Sequence, residues 1–235
     1  MFNFDAYLSY LINPYLLGGV GITIGLTVAT IILGLALALP LALGRMSSDR
    51  LFSVPARLYV WIFRGTPLLV QIVIIYTGLP QLGIRFDVLT SAVLALSLNE
   101  AAYLSETIRA GFSAVAKGQI EAAKALSLSR FATLRLVTLP QVIRIIIPPL
   151  GNSFNGLLKA TSLASVISME ELMRRAQVVM QAKFEVLELY CVAATFYLVL
   201  TSLWDIVQGR LERHYGKGYA ADEKRMPAMR APVAA

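Results

Sequence analysis

The sequence predicts an all-α polytopic membrane protein with about five transmembrane helices. Apolar residues make up 57% of the 235 residues and charged residues only 15%, whereas charged residues are about a quarter of a typical soluble domain. No charged residue occurs in residues 6–44, and one bilayer-spanning helix needs only about 20 apolar residues. Four further apolar segments follow. These observations exclude a very apolar soluble domain and place the chain in a membrane.

The apolar segments predict five spans connected by shorter polar segments. The spans are about residues 18–43, 58–79, 88–109, 139–158 and 187–207. They divide the chain into an amino-terminal segment (1–17), a transmembrane domain (18–213) and a carboxyl-terminal tail (214–235) that we expect to be flexible. A long polar loop, about residues 110–138, lies within the transmembrane domain.

Small residues and prolines predict how individual spans pack and bend. In the first span, Gly21, Gly25 and Ala29 recur at four-residue spacing, which predicts close helix packing. The second span contains the sequence FRGTP at residues 63–67. Its proline lacks an amide hydrogen and clashes with the preceding turn, so a break or kink is predicted there. Pro148 and Pro149 predict bends in the fourth span.

The connecting segments are assigned from their composition. Residues 46–55 form a short polar segment with arginines around it, and we expect this segment to lie in the cytoplasm. Residues 160–168 are apolar and form either a re-entrant or an outer segment, whereas the charged residues 170–185 are expected outside.

The distribution of charge predicts the orientation of the chain. The formal net charge is +7, but most of the lysine and arginine residues fall on one side of the predicted spans, which is the positive-inside pattern. This places the amino terminus outside and the carboxyl terminus in the cytoplasm. The basic residues are not interleaved with stacking aromatic residues, so nucleic acid is not expected as a partner. The single cysteine and single histidine predict neither a disulfide framework nor a metal site.

Two basic residues, Arg64 and Lys159, fall within or at the edge of predicted spans. A charge at the centre of a bilayer costs about 2.5–3.5 kcal/mol on insertion scales, so each should face a partner or a wet cavity. Lys159 has the simpler alternative of extending to the interface. Arg64 has two alternatives: it binds carbonyl groups freed by the break near Gly65, or it attracts a substrate carboxylate.

The third span is polar in its second half. Asn99, Tyr103 and Glu106 are spaced so that they share one face of a helix, and Glu100 flanks that face. Polar groups in a membrane either hold helices together or line a pathway. Glu106 has the alternative of pairing with Arg109, three residues later. All four, together with Arg64 and Lys159, are candidate substrate-pathway residues.

Five short motifs occur in a fixed order along the chain. They are FRGTPLLVQ at 63–71, AYLSE at 102–106 followed by RAG at 109–111, GQIEAAKALS at 118–127, LPQ at 139–141 and LKATSL at 158–163. Together they resemble the signatures of ABC transporter permease subunits of the polar (histidine/glutamine/arginine/opine-type) amino acid importer family. The resemblance covers about residues 15–213 and implies the type I ABC importer permease fold.

In this family the EAA segment forms a cytoplasmic coupling helix that docks into a cleft on the ATPase subunit. The resemblance assigns that helix to residues 117–128 and implies that Ala122 and Ala123 let it sit close to the partner. Its expected coupling residues are Gly118, Glu121, Ala122, Ala123, Ala125 and Ser127. Glu121 has the alternative of a surface glutamate favoured by the helix dipole. The family usually has glycine where Ser127 stands, and serine is expected to fit because it is nearly as small.

The resemblance implies a non-catalytic permease that moves a polar amino acid or opine across the bacterial inner membrane by alternating access. The expected partners are an ABC ATPase dimer, a second permease subunit (identical or homologous), an extracytoplasmic solute-binding protein, membrane lipid and the amino acid substrate. The chain has no GxxxxGK[ST] phosphate loop, so no cofactor is expected on it, and ATP and magnesium belong to the ATPase. A carboxylate-based membrane enzyme or a passive channel would have little use for the EAA segment.

Overall fold

A computed structural model describes residues 2–216 as an assembly of helices. The predicted tail therefore lies, beyond Gly216, outside the described residues. The ten α-helices of the described part are α1 (Phe4–Leu11), α2 (Pro14–Met46), α3 (Arg50–Gly65), α4 (Leu68–Val73), α5 (Val88–Ser113), α6 (Lys117–Ala125), α7 (Arg130–Thr133), α8 (Leu139–Ala160), α9 (Leu172–Lys183) and α10 (Val186–Gly216). Short π-helical turns (Ile74–Gly78 and Leu134–Thr138) and 3₁₀ turns (Leu79–Leu82 and Thr161–Ile167) extend several of them.

The predicted number of spans agrees with the helices. Within residues 2–216, four helical stretches are long and apolar enough to cross a membrane: Pro14–Met46, Val88–Ser113, Arg130–Ile167 and Val186–Tyr215. A fifth crossing results if Arg50–Gly65 and Leu68–Leu82 are counted as one span, and these two helical segments meet at 105°. The predicted break at FRGTP is therefore confirmed. The 3₁₀ turn Thr161–Ile167 directly continues α8, so the fourth crossing is longer than expected.

One helix boundary differs from the prediction for a local reason, and one pair of prolines does not interrupt its helix. Helix α3 begins at Arg50, within the segment expected to be a polar connection, because Asp49 caps it by accepting a hydrogen bond from the Leu51 amide (2.9 Å). Helix α8 continues without interruption through Pro148 and Pro149.

Helices α2 and α5 form the centre of the bundle. Leu26 packs with Leu96 in one buried cluster, and Ala38 and Ala42 pack with Leu104 in another. The predicted stripe of Gly21 and Gly25 does not make this contact, since a Cβ atom at either glycine would have no neighbour within 4 Å. Four-residue spacing predicts which residues share a face, but it does not specify which face the chain buries.

A buried carboxylate joins α2, α9 and α10. Glu171 is fully buried and caps α9 by accepting a hydrogen bond from the Arg174 amide (2.9 Å). It also accepts from the Tyr197 hydroxyl (2.8 Å) and the Thr23 hydroxyl (3.4 Å). Burial raises the pKa of the Glu171 carboxyl, and the hydrogen bonds oppose this rise. The charged segment 170–185 thus packs on the bundle through this cap.

Candidate functional site

The break between α3 and α4 is held by two amide side chains. Gln71 Nε2 donates to the Phe63 carbonyl (2.9 Å) and the Thr66 carbonyl (3.1 Å). Asn99 Nδ2 donates to the same Phe63 carbonyl (3.1 Å) and to Gln71 Oε1 (3.0 Å). Backbone groups freed inside a membrane need such partners. We call these residues the Gln71–Asn99 cluster.

Arg64 does not satisfy the freed carbonyls, contrary to one of its two predicted roles. Its guanidinium lies over the Tyr103 ring, 5.2 Å from the ring centroid, and 3.9 Å from a carboxylate oxygen of Glu106. The Phe63 and Thr66 carbonyls accept hydrogen bonds from the amides of the Gln71–Asn99 cluster. Arg64 therefore extends away from the break. A cation over an aromatic ring is stabilised by the quadrupole of that ring.

Glu106 is the meeting point of three arginines from three helices. Its carboxylate lies 3.2 Å from Arg45 of α2, 3.0 Å from Arg109 of α5 and 3.9 Å from Arg64 of α3. The predicted Glu106–Arg109 pair is present, and Arg45 and Arg64 join it. Three guanidinium groups against one carboxylate leave a local excess of two positive charges. We call these four residues the Glu106 cluster.

The Glu106 cluster opens onto two adjoining cavities. Both cavities are lined by Arg64, Tyr103 and Glu106. The larger has a volume of about 730 Å³ and extends along α5 and α8 past Thr107 and Ser153. The smaller, about 420 Å³, is also lined by Arg45 and Trp61. Three of the six candidate pathway residues are therefore brought together at one open, positively charged site.

The other three pathway candidates lie elsewhere. Asn99 belongs to the Gln71–Asn99 cluster and lines neither cavity. Lys159 is exposed near the end of α8 and also lines neither. Glu100 is 9% exposed and packs beside Gly34 of α2. Its Oε1 atom has no hydrogen-bond partner in the described part of the chain.

Sequence reasoning missed Gln71 and Arg45 as members of these clusters. Gln71 closes the FRGTPLLVQ motif, so its place in the motif was a signal that it acts with the break. Arg45 stands two residues after the first predicted span, where the sequence indicates only a charge at the end of a helix. Their partners, Asn99 and Glu106, are distant in sequence and become neighbours only because α2, α3 and α5 pack together.

The EAA segment forms the short exposed helix α6 followed by a left-handed residue. Helix α6 ends at Ala125, three residues before the predicted end, because Ser127 has a positive φ of 57°. The Ser127 amide donates to the Lys124 carbonyl (2.9 Å) and the Leu128 amide to the Ala123 carbonyl (3.1 Å), which closes the helix. Glycine suits this position because of its backbone freedom, so backbone conformation matters here in addition to side-chain size.

One coupling candidate faces the chain itself. Ala123 is only 3% exposed, whereas the other five candidates, Gly118, Glu121, Ala122, Ala125 and Ser127, are exposed. The Ala123 side chain is therefore not exposed in this structure, and its part in docking stays a prediction. The exposed face of α6 has no apolar stripe of its own to bury.

Comparisons with known proteins agree with this architecture. The family described as "Binding-protein-dependent transport system inner membrane component" matches residues 30–217. The probable amino-acid ABC transporter permease protein YckA of Bacillus subtilis (strain 168) is 40% identical over 202 residues, covering 86% of this chain and 89% of that protein. The L-cystine transport system permease protein TcyB of the same strain is 44% identical over 201 residues, covering 85% and 86%.

The solved structures include a similar fold. A chain of an amino acid ABC transporter, crystallised with histidines, has a TM-score of 0.85 and 36% identity, and the match covers 91% of this chain and 99% of that one. An inward-facing MetNI methionine ABC transporter chain, with a TM-score of 0.70 and 18% identity, has the same fold. The resemblance drawn from the motifs is thereby confirmed, and this chain belongs to the family of binding-protein-dependent transport system inner membrane components, as a multi-pass permease subunit of an ABC transporter.

Proposed function

We propose that this permease imports a polar amino acid by alternating access, with the Glu106 cluster in its pathway. The observation that carries the proposal is the pair of cavities whose shared wall is Arg64, Tyr103 and Glu106. The excess positive charge of the Glu106 cluster attracts the carboxylate that every amino acid carries. The Glu106 carboxylate attracts the ammonium group of the same amino acid. The named substrates of similar permeases, which include arginine and cystine, support this substrate class.

The buried Glu100 is a second polar group of the same pathway. It lies on α5 about one turn before Tyr103, which lines the larger cavity. A movement of α8 relative to α5 would bring this carboxyl into contact with the cavity, where it binds the substrate ammonium in another conformational state. Asn99 and Lys159 are not included in the proposed pathway, because neither lines either of these two cavities.

Helix α6 is proposed to couple this chain to its ATPase. It exposes Glu121 and small side chains, and its nine residues span about 14 Å at 1.5 Å per residue. A short helix with a small-residue surface is able to enter a cleft on another protein. Two ATPase copies would close on ATP and magnesium, and the coupling helices would transmit that closure to the cavity. No cofactor on this chain is needed.

The remaining partners and the orientation follow from the same proposal. A second permease subunit would complete the central pathway, and a solute-binding protein would deliver the substrate from outside. The amino terminus would lie outside and α6 in the cytoplasm, in agreement with the charge distribution. Cysteines introduced at Ser129 and Gln181, in a Cys191→Ser background, should react with an impermeant thiol reagent from opposite sides. Reaction of both from one side would contradict the orientation.

The coupling proposal is tested with a bulky residue on the exposed face of α6. Ala122→Trp should leave the permease in the membrane at normal levels while abolishing co-purification of the ATPase, substrate-stimulated ATP hydrolysis and uptake. The matched control is Ala182→Trp, which places the same side chain on an exposed alanine of α9. If Ala122→Trp retained the ATPase and full uptake, helix α6 would not be the coupling element.

A further inference from the structure

We infer that α3 carries a binding site for an anionic phospholipid, which shares only Trp61 with the two cavities of the Glu106 cluster. Two recesses on adjacent faces of α3 supply the two halves of such a site. One is basic and suits the phosphate of a headgroup, and the other is apolar and suits an acyl chain.

The basic recess has a volume of about 590 Å³ and is lined by Arg50, Val54, Arg57, Leu58 and Trp61. In the described part of the chain no carboxylate lies within 4.0 Å of either arginine. Arg57 uses two of its nitrogens to donate to Ser53, to the carbonyl (3.1 Å) and the hydroxyl (2.9 Å), which fixes its guanidinium beside the recess. Among residues 2–216, the two arginines of the recess thus have no ion-pair partner.

The apolar recess, about 430 Å³, lies between α2 and α3. Its wall includes Leu37, Leu41 and Gly44 of α2 and Leu51 and Pro55 of α3. Leu51 and Leu58 are seven residues apart and lie along the boundary between the two recesses. An acyl chain in this groove would therefore leave its headgroup next to Arg50 and Arg57.

The exposed side chains around the arginines favour lipid over water as the occupant. Leu51 and Trp61 are each 73% exposed, and Phe52 is 59% exposed. Such apolar surface is costly in water, whereas tryptophan beside arginine is typical of a membrane interface. The charges favour an anionic headgroup, because a basic residue near an anionic membrane surface strengthens binding about fivefold.

Native mass spectrometry of the full-length protein in a mild detergent tests the site directly. Phosphatidylglycerol and phosphatidylcholine with identical acyl chains are added in turn. We expect the wild type to retain phosphatidylglycerol at least tenfold better than phosphatidylcholine. The double variant Arg50→Gln/Arg57→Gln should lose this preference, whereas Arg85→Gln, at an exposed arginine elsewhere, should keep it.

A second variant tests the groove independently of charge. Leu37→Trp fills the apolar recess and should weaken the binding of both lipids to a similar extent while the preference persists. Equal retention of the two lipids by the wild type, or an unchanged preference in the double arginine variant, would overturn the inference. Efficient disulfide formation between two copies carrying Leu58→Cys, in a Cys191→Ser background, would also overturn it, because a second subunit would then cover this face.

Discussion

Two polar clusters that include residues of helix α5 differ in how completely their hydrogen bonds and charges are paired within the chain. The Gln71–Asn99 cluster is closed: Asn99 is 8% and Gln71 is 7% exposed, and their amides donate to carbonyls of the broken helix. The Glu106 cluster, about two turns further along α5, has three arginines for one carboxylate and opens onto two cavities. The difference favours a structural role for the first cluster and is the basis for the proposal that the second binds substrate.

The largest expected effect is on stability, at the closed cluster. Gln71→Leu removes the donor to the Thr66 carbonyl and one acceptor of the Asn99 amide, whereas the Phe63 carbonyl keeps its hydrogen bond from Asn99. Each group left unpaired should cost about 1–3 kcal/mol. Thermal denaturation in detergent should show a clear loss of stability and a lower yield. The exposed Gln81 provides the control, since Gln81→Leu should change neither. If the Gln71→Leu protein were as stable as the wild type, the structural role assigned to this cluster would be contradicted.

The next effect is on transport, at the open cluster. Glu106→Gln leaves three arginines without their carboxylate, so the excess positive charge rises from two to three. Uptake should fall at least tenfold because substrate carboxylate is then held too tightly and the ammonium loses its partner. Stability should change by less than about 1 kcal/mol, since these ion pairs are partly exposed.

A loss of stability without a loss of uptake in Glu106→Gln would contradict the roles assigned to the two clusters. A protein that unfolds readily yet transports normally per folded molecule would make the Glu106 cluster structural. Measuring uptake per folded permease, with reconstituted complex, separates the two possibilities.

The smallest effect is expected at Tyr103. Its ring lies under the Arg64 guanidinium, and such a contact is worth about 0.5–1 kcal/mol at an exposed site. Tyr103→Leu should therefore weaken the apparent affinity of uptake by about two- to fivefold, because Arg64 loses its support. Tyr103→Phe keeps the ring and should behave almost like the wild type. Equal effects of both substitutions would indicate that the hydroxyl, not the ring, is important.

The sequence predicted the crossings, the broken helix and the EAA helix because these depend on local composition, on proline and on helical spacing. It placed Asn99 and Glu106 on one face of α5 but did not distinguish their roles. Those roles depend on Gln71 and Arg45, which reach α5 from other helices. The same limit explains Ala123: the spacing of alanines predicted a small-residue surface, and packing of the chain decided which alanine is buried.

The most direct test compares the chemical accessibility of two hydroxyl positions on α5. Thr107 lines the larger cavity, whereas Ser97 is 2% exposed and lies nearer the closed cluster. In a Cys191→Ser background, Thr107→Cys should react quickly with a small charged thiol reagent, and the transported amino acid should slow that reaction. Ser97→Cys should not react. Equal reactivity at both positions, or a Thr107→Cys reaction unaffected by substrate, would contradict the assignment of the cavity to the pathway.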